Sequence, residues 1–338
     1  MLKKIFKLLA LLMVVAAIAA IAVYAGSLDW SRAHTNRVAA LPLYTAQSSD
    51  GDYRVSASGF EFRARMKGMQ NQGENLILLH GFPESSIMWN DLAASLAEQG
   101  FRVLAYDQRG YSPGARPSGV EAYEIEKLAA DVFAMADAVG FERFHLVGHD
   151  WGAVVGWHVV TQSPARIQTW TGMAIPHITT FFEALLDNPD QIRRSAYMDR
   201  LRRPFIPEFV FLSRNQHYMR QLMHRLAPEQ LAEYQAILSE PGAFTSTLNW
   251  YRALDQADYL AKYQTNRRVR IPTLFIWGTN DGIISPSVVD AQVGMFDAGF
   301  EEVELPVGHN PVQQSPGAVR EALLNHVRSG AIPAAEPG

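Results

Sequence analysis

The chain has 338 residues, a formal net charge of −4 at pH 7 and no cysteine. This charge gives no electrostatic reason to expect nucleic acid as a partner. The lack of cysteine excludes disulfides, thiolate metal sites and a cysteine nucleophile. With 48% hydrophobic residues, the composition is typical of a globular protein with a large core.

The first predicted element is an apolar run from Leu8 to Val23 that follows Lys3, Lys4 and Lys7. A basic n-region, an apolar h-region and small residues after it are typical of an export signal. The run is also long enough for a marginal membrane anchor through residues 5–25. The lysines favour a cytoplasmic N-terminus in both cases, so the rest of the chain is expected outside the cytoplasm. It would be periplasmic, secreted, or held at the outer side of the inner membrane.

An alternation of short strands and helices follows. Residues 53–59 and 60–66 alternate in period two, as the strands of a hairpin do. Short apolar runs at 75–79, 102–106 and 144–147 predict buried strands, with helices at 89–98, 124–139 and 153–161. This order predicts an α/β fold with a mostly parallel sheet and helices on both faces.

The pattern becomes helical near Pro176, and strands return at 272–277 and 300–305. A helical insertion in such a framework is expected to form a lid, or cap, over the carboxyl ends of the strands. Its aromatic residues predict an apolar pocket: Phe181, Phe182, Phe205, Phe209, Phe211 and Trp250. The predicted organisation is a signal or anchor at 1–26, a tether at 27–50, a core at 51–175 and 270–328, a helical cap at 176–269 and a flexible tail at 329–338.

The segment Gly148-His149-Asp150-Trp151-Gly152 lies between a predicted strand and a predicted helix. Two small residues around a central nucleophile at such a junction form the nucleophile elbow of α/β-hydrolases. The simpler alternative is a glycine-rich turn with Asp150 as a helix cap. As a nucleophile, Asp150 would displace a leaving group at saturated carbon and leave an alkyl ester. Water must then attack that ester, which requires a general base and an oxyanion hole.

Candidates for both lie elsewhere in the chain. His309 follows the last predicted strand, and Asp281 follows the strand before it. The order nucleophile, acid, histidine predicts His309 as the base and Asp281 as its orienting acid, with Asn280 the weaker candidate. The segment His80-Gly81-Phe82-Pro83 predicts an oxyanion loop. In it, the amides of Phe82 and Trp151 would hold the oxyanion, and a cis bond before Pro83 would shape the loop.

Five motifs resemble the epoxide hydrolase branch of the α/β-hydrolase superfamily over residues 53–327. They are HGFP at 80–83, DQRGYS at 107–112, GHDWG at 148–152, WGTND at 277–281 and GH at 308–309. The resemblance implies a nucleophilic aspartate, a histidine base, an orienting acid and two cap tyrosines that hold the epoxide oxygen. Tyr251 lies in the matching segment NWYR. Tyr197 lies in a looser match, with Arg202 where the family often has glutamine, and Tyr218 is the fallback.

The resemblance therefore implies conversion of a small apolar epoxide to a vicinal diol, with no cofactor or metal. One alternative is a haloalkane or haloacid dehalogenase, which would share the triad and could use the Trp151 indole to bind halide. Another is a non-catalytic binding protein on the same scaffold.

One departure from the family pattern concerns His309, which many relatives follow with an aromatic residue. Here Asn310-Pro311 follows, so the resemblance does not predict the packing around His309. His149 is expected to pack under the nucleophile, and His177 has no predicted role.

Overall fold

The computed structural model of the chain describes Lys7 and residues 9–15, 17–18, 34–223 and 226–330. Most of the predicted signal or anchor and most of the predicted tail lie outside these residues. None of the helices described combines the length and hydrophobicity needed to cross a membrane.

The described residues build one eight-stranded sheet in the order β1-β2-β4-β3-β5-β6-β7-β8. β1 and β2 form an antiparallel hairpin, β2 pairs antiparallel with β4, and all other pairs are parallel. The strands are β1 Gly51–Ala57, β2 Phe60–Lys67, β3 Asn75–Leu79, β4 Arg102–Tyr106, β5 Phe144–His149, β6 Ile167–Met173, β7 Thr273–Gly278 and β8 Phe300–Leu305. The predicted mostly parallel α/β sheet is confirmed.

The prediction from sequence missed β6. Its sequence, IQTWTGM, is interrupted by polar residues, so it does not look like a buried strand. Thr169 and Thr171 are nonetheless fully buried, and the Thr169 hydroxyl lies 2.8 Å from His145 Nδ1 on the neighbouring strand. This partner offsets the cost of burying the Thr169 hydroxyl, whereas the Thr171 hydroxyl is buried without one. Parallel pairing with β5 and β7 on either side keeps the interrupted run inside the sheet.

Helices cover both faces of the sheet and form the cap. The α-helices are α1 Asn90–Glu98, α2 Ile125–Ala138, α3 Trp151–Gln162, α4 Ile178–Asp187, α5 Pro189–Arg202, α6 Ile206–Leu222, α7 Pro228–Ser239, α8 Ala243–Ala253, α9 Gln256–Lys262, α10 Pro286–Ala291, α11 Pro311–Gln314 and α12 Pro316–Ser329. Helices α4 to α9 lie between β6 and β7. They form the predicted helical cap, which reaches over the carboxyl ends of the parallel strands.

A buried ion-pair cluster joins the cap to the sheet. Glu233 on α7 accepts hydrogen bonds from Arg63 and Arg65 on β2, at 2.7 and 2.5 Å. Just beyond α7, the Glu240 carboxylate accepts a 2.6 Å hydrogen bond from His34 Nδ1. Residues 34–39 are helical, although the sequence predicts a tether there. His34 Nε2 also lies 3.1 Å from the Arg63 guanidinium on β2. The described residues from 34 onwards therefore meet the domain where the cap joins the sheet.

Candidate active site

The elbow places Asp150 at the junction between β5 and α3. Its backbone has φ 51° and ψ −120°, which an aspartate adopts only under strain. A Cβ on Gly148 would lie 2.3 Å from the Gly152 carbonyl oxygen, and one on Gly152 would lie 2.2 Å from the Leu79 carbonyl oxygen. Both positions therefore require glycine. The tight turn holds the Asp150 side chain above the carboxyl edge of the sheet.

Asp281 and His309 meet Asp150 at this edge. His309 Nδ1 donates a hydrogen bond to Asp281 Oδ2 at 2.7 Å, and His309 Nε2 lies 3.3 Å from Asp150 Oδ2. The Ile283 amide donates to the other oxygen of Asp281 at 2.7 Å, which fixes that carboxylate. Asn280 is exposed and takes no part in this chain of contacts. The structure therefore brings together the three residues that the sequence predicts as a triad.

The charges of the triad are coupled. Burial alone would lower the pKa of His309, but the carboxylates of Asp281 and Asp150 raise it to about 10. Burial would raise the pKa values of Asp150 and Asp281, yet the hydrogen bond and charge of His309 lower both. The resting site therefore holds two carboxylates around one imidazolium.

The loop after β3 supplies a hydrogen-bond donor to the nucleophile. The Phe82 amide donates to Asp150 Oδ1 at 2.7 Å, and the Phe82–Pro83 peptide bond is cis, as the sequence predicts. A Cβ on Gly81 would lie 2.5 Å from the Asp150 side chain, so only glycine allows this approach. Trp151 begins α3, and the Asp150 side chain makes no capping hydrogen bond to that helix. The oxyanion role of the Trp151 amide stays a prediction.

His80 holds this loop in place. It is fully buried, and burial lowers its pKa. Its Nδ1 donates to the Gly81 carbonyl at 2.9 Å, and its Nε2 accepts from the Gln108 amide at 3.0 Å. The Gln108 side chain also donates to the His80 carbonyl at 2.6 Å. The HGFP and DQRGYS motifs are therefore one hydrogen-bonded unit beneath the nucleophile.

Two cap tyrosines face Asp150 across a small cavity. Tyr197 lies on α5 and Tyr251 on α8, and both line the cavity together with Asp150. Burial raises the pKa of both phenols above the ordinary value, and the charge of Asp150 raises them further. Both hydroxyls therefore keep their protons at neutral pH and can donate them. Arg202, the departure from the family pattern, donates to the Tyr251 carbonyl at 3.0 Å and holds the end of α8.

The cavity is small and its remaining lining is apolar. Its volume is about 20 Å³, room for about one water molecule. An organic substrate can enter only when the cap or the lining side chains move. The apolar lining residues are Trp151, Val154, Ile175, Phe181, Phe182, Met198 and Leu254.

Only part of the predicted aromatic pocket lines this cavity. Phe181 and Phe182 line it, while Phe211 and Trp250 are buried elsewhere in the cap. The prediction was wrong for Phe205 and Phe209, whose exposed fractions are 81% and 75%. Tyr218, the fallback donor, is 45% exposed and packs on Phe211. It is not among the residues that face Asp150.

Asn310 has a partner that sequence analysis missed. Its side chain and that of Gln313 donate to Oε1 of Glu84, a buried residue that follows the HGFP loop. The other carboxylate oxygen lies 3.3 Å from His149 Nδ1, and His149 Nε2 donates to the His309 carbonyl at 2.9 Å. His149 therefore holds the backbone of His309, and Glu84 holds the side chains of Asn310 and Gln313, which follow the base.

Replacing Glu84 with alanine is expected to slow ester hydrolysis on the order of 10- to 100-fold, because His309 loses the group that fixes its loop. Ester formation should change much less, since it does not need a correctly placed base. Rapid-quench kinetics of both steps would show this split. Glu84→Gln is the matched control, because it keeps the oxygen that accepts from Asn310 and Gln313. Equal slowing of both steps in Glu84→Ala would contradict a positioning role.

Known proteins share this fold and these elements. The family model for the alpha/beta hydrolase fold matches residues 74–316. The chain is 31% identical over 283 residues to the AB hydrolase superfamily protein YfhM of Bacillus subtilis, covering 81% of this chain and 97% of that protein. It is 31% identical over 290 residues to Epoxide hydrolase A of Mycobacterium tuberculosis, covering 74% and 88%.

Solved structures show the same likeness. An epoxide hydrolase from Bacillus megaterium, complexed with its diol product, superposes with a TM-score of 0.72 at 25% identity, over 81% of this chain and 99% of that one. The chain belongs to the α/β-hydrolase fold family and to its epoxide hydrolase branch. It is a hydrolase. In the described part of the chain, no group of three or more His, Asp or Glu side chains is arranged to hold a metal ion.

Proposed function

We propose that this hydrolase converts an epoxide to a vicinal diol through an alkyl ester on Asp150. The observation that carries the proposal is that Tyr197 and Tyr251 line the same cavity as Asp150, close enough for the charge of Asp150 to raise the pKa of both phenols. Epoxide opening needs a nucleophile for a ring carbon and hydrogen-bond donors for the ring oxygen, and this cavity offers both. The relatives named as epoxide hydrolases support the same reading.

Ring opening begins with the epoxide oxygen between the two phenols. Asp150 Oδ2 attacks one ring carbon, a C–O ester bond forms, and the C–O bond of the ring breaks. Asp150 Oδ1 stays with the Phe82 amide, from which it already accepts a 2.7 Å hydrogen bond. The alkoxide that leaves is stabilised by the tyrosine hydroxyls and takes up one proton.

Ester hydrolysis needs neutral His309, and ring opening supplies it. Esterification removes the negative charge of Asp150, one of two carboxylates that raise the pKa of His309 to about 10. The imidazolium then releases one proton, which balances the one that the alkoxide takes up. Neutral His309, oriented by Asp281, removes a proton from water as the water attacks the ester carbonyl. The oxyanion forms on Asp150 Oδ1 beside the Phe82 amide, and the diol leaves.

The two chemical steps are expected to differ in pH dependence. Ester formation needs ionised Asp150 and protonated tyrosines, whose pKa values are lowered and raised respectively, so its rate should be flat from about pH 5 to 9. Hydrolysis should accelerate with rising pH, because Asp281 still raises the pKa of His309 in the ester and solvent protonates more of the base at low pH. Single-turnover rapid quench at several pH values would show less ester accumulating as the pH rises. Ester formation that accelerates in parallel with hydrolysis would contradict this assignment.

A dehalogenase is the second candidate, because it would use the same three residues. In that reaction the Trp151 side chain would donate a hydrogen bond to the halide. Here the Trp151 side chain hydrogen-bonds to the Tyr251 phenol, which lowers the pKa of that phenol and partly offsets the effect of burial. The indole thus supports a tyrosine donor, which favours the epoxide reaction.

A panel of small aliphatic and aryl epoxides, with chloro- and bromoalkanes of matched size, tests the proposed function. We expect diol formation and little halide release, with a preference for apolar substituents that fit against Phe181, Phe182 and Met198. Turnover confined to the haloalkanes would replace the proposal with the dehalogenase. Failure with both sets would favour a binding protein.

Export of the catalytic domain remains a proposal that rests on the basic and apolar N-terminal pattern. An alkaline phosphatase reporter fused to the C-terminus of the full chain is expected to be active, because this reporter folds only outside the cytoplasm. A matched fusion in which Lys3, Lys4 and Lys7 are replaced by glutamate should lose activity. An inactive reporter on the unaltered chain, with the fusion protein present, would contradict export.

A further inference from the structure

Three large apolar side chains are exposed to solvent at the start of α6. Phe205, Ile206 and Phe209 are 81%, 53% and 75% exposed, and we refer to them as the cap patch. Ile206 and Phe209 are three residues apart on α6 and share one face, and Phe205 is the residue that directly precedes the helix. Phe205 has φ 64°, a conformation that costs energy for a bulky residue. An exposed apolar cluster of this kind marks an interaction surface.

Arginines outnumber acidic residues in the two helices that meet at the cap patch, α5 and α6. Residues 189–222 contain seven arginines and three acidic residues, although the whole chain has a formal net charge of −4. Arg200 and Arg203, which directly precede the patch, are both exposed. Apolar side chains next to arginines are suited to a bilayer surface, where acyl chains lie beneath negatively charged headgroups.

The N-terminal segment limits how far this surface can lie from a membrane. Ten residues separate Val23, the end of the apolar run, from His34, which is bonded to Glu240 at the end of α7. Ten extended residues span roughly 35 Å, while a domain of about 300 residues is about 50 Å across. If the apolar run stays in a bilayer, the side of the domain that holds His34, where the end of α7 meets β2, must therefore lie near it.

We propose that the cap patch is a docking surface for an anionic lipid bilayer. Phe205, Ile206 and Phe209 enter the boundary between headgroups and acyl chains, and Arg200 and Arg203 contact the lipid phosphates. This places the cap, and the cavity beneath it, at the surface where apolar epoxides concentrate. That last consequence rests on the proposed function, whereas lipid contact by the patch does not.

The absence of cysteine from the chain allows a direct test. Full-length Phe209→Cys and Glu142→Cys proteins are each labelled with an environment-sensitive NBD fluorophore. Glu142 is exposed and lies just before β5, at the amino edge of the sheet and away from the cap. Each protein is mixed with vesicles of equal parts phosphatidylcholine and phosphatidylglycerol, with and without nitroxide-labelled lipid.

We expect the label at position 209 to shift to the blue and to be quenched by nitroxide lipid, while the label at position 142 shows neither change. Quenching at 209 should weaken in phosphatidylcholine alone and in an added Arg203→Glu variant. A label at 209 that remains in water with vesicles would overturn the proposal, as would equal quenching at both positions. A blue shift that depends on protein concentration without lipid would assign the patch to a second copy of the chain. None of these outcomes depends on catalysis.

Discussion

Replacement of Asp150 by asparagine is expected to lower epoxide turnover on the order of 10⁴-fold or more. The amide is nearly isosteric but carries no charge, so it cannot open an epoxide and form the ester. Loss of a nucleophile typically removes most of the rate that the other catalytic groups supply, because they act on an intermediate that no longer forms. The oxyanion loop and the tyrosines would remain in place with no ester to act on.

The measurement is the rate of ester formation under single-turnover conditions, followed by intact-protein mass spectrometry. No mass increase should be found in Asp150→Asn, whereas His309→Gln should accumulate the ester, because in that variant only the base is missing. Thermal unfolding of both proteins establishes that each is folded. A folded Asp150→Asn protein with turnover within tenfold of the unaltered chain would contradict the nucleophilic role.

Replacement of Tyr251 by phenylalanine is expected to slow ring opening by about 10²- to 10³-fold, the typical cost of removing one donor to a developing oxyanion. Tyr251 is 2% exposed, with its ring packed edge-on against Trp151 and Phe82 at centroid distances of 4.9 and 5.2 Å. Phenylalanine keeps these ring contacts, so the loss should come from the hydroxyl alone. Removing Tyr197 as well should nearly abolish ring opening.

Tyr218→Phe is the matched control, because Tyr218 lies on the same cap but outside the cavity. It should leave the rate of ester formation unchanged. The same variants can be assayed for halide release from bromoalkanes, which requires no donor to an alkoxide. If Tyr251→Phe impaired halide release and epoxide opening equally, the tyrosines would serve packing and not the leaving oxygen.

Much of the site could be predicted because its catalytic residues lie in short sequence motifs. The elbow follows from two glycines around Asp150, and the geometry shows why: a side chain at either position would strike backbone. Asp281 and His309 follow neighbouring parallel strands, whose carboxyl ends meet at one edge of the sheet. The order of the chain therefore predicts that they meet.

What the sequence could not predict depends on partners distant in the chain. Glu84 is separated from Asn310 by more than two hundred residues, and nothing near Glu84 signals that it holds the base loop. The docking of His34 on Glu240 is equally non-local. The sequence predicts Phe205 and Phe209 in a pocket because aromatic residues in a cap are expected to be buried. Their positions on the helix, which decide burial, depend on where α6 begins.

A single turnover in ¹⁸O-labelled water, with enzyme in excess over epoxide, tests the central claim most directly. In the ester mechanism, water attacks the carbonyl carbon of the ester, so the diol leaves with an unlabelled oxygen from Asp150. Mass spectrometry of the peptide that contains Asp150 should therefore show one ¹⁸O in that residue, and the first diol should contain none. Label in the first diol, with an unlabelled Asp150 peptide, would show direct attack of water on the epoxide and contradict the account.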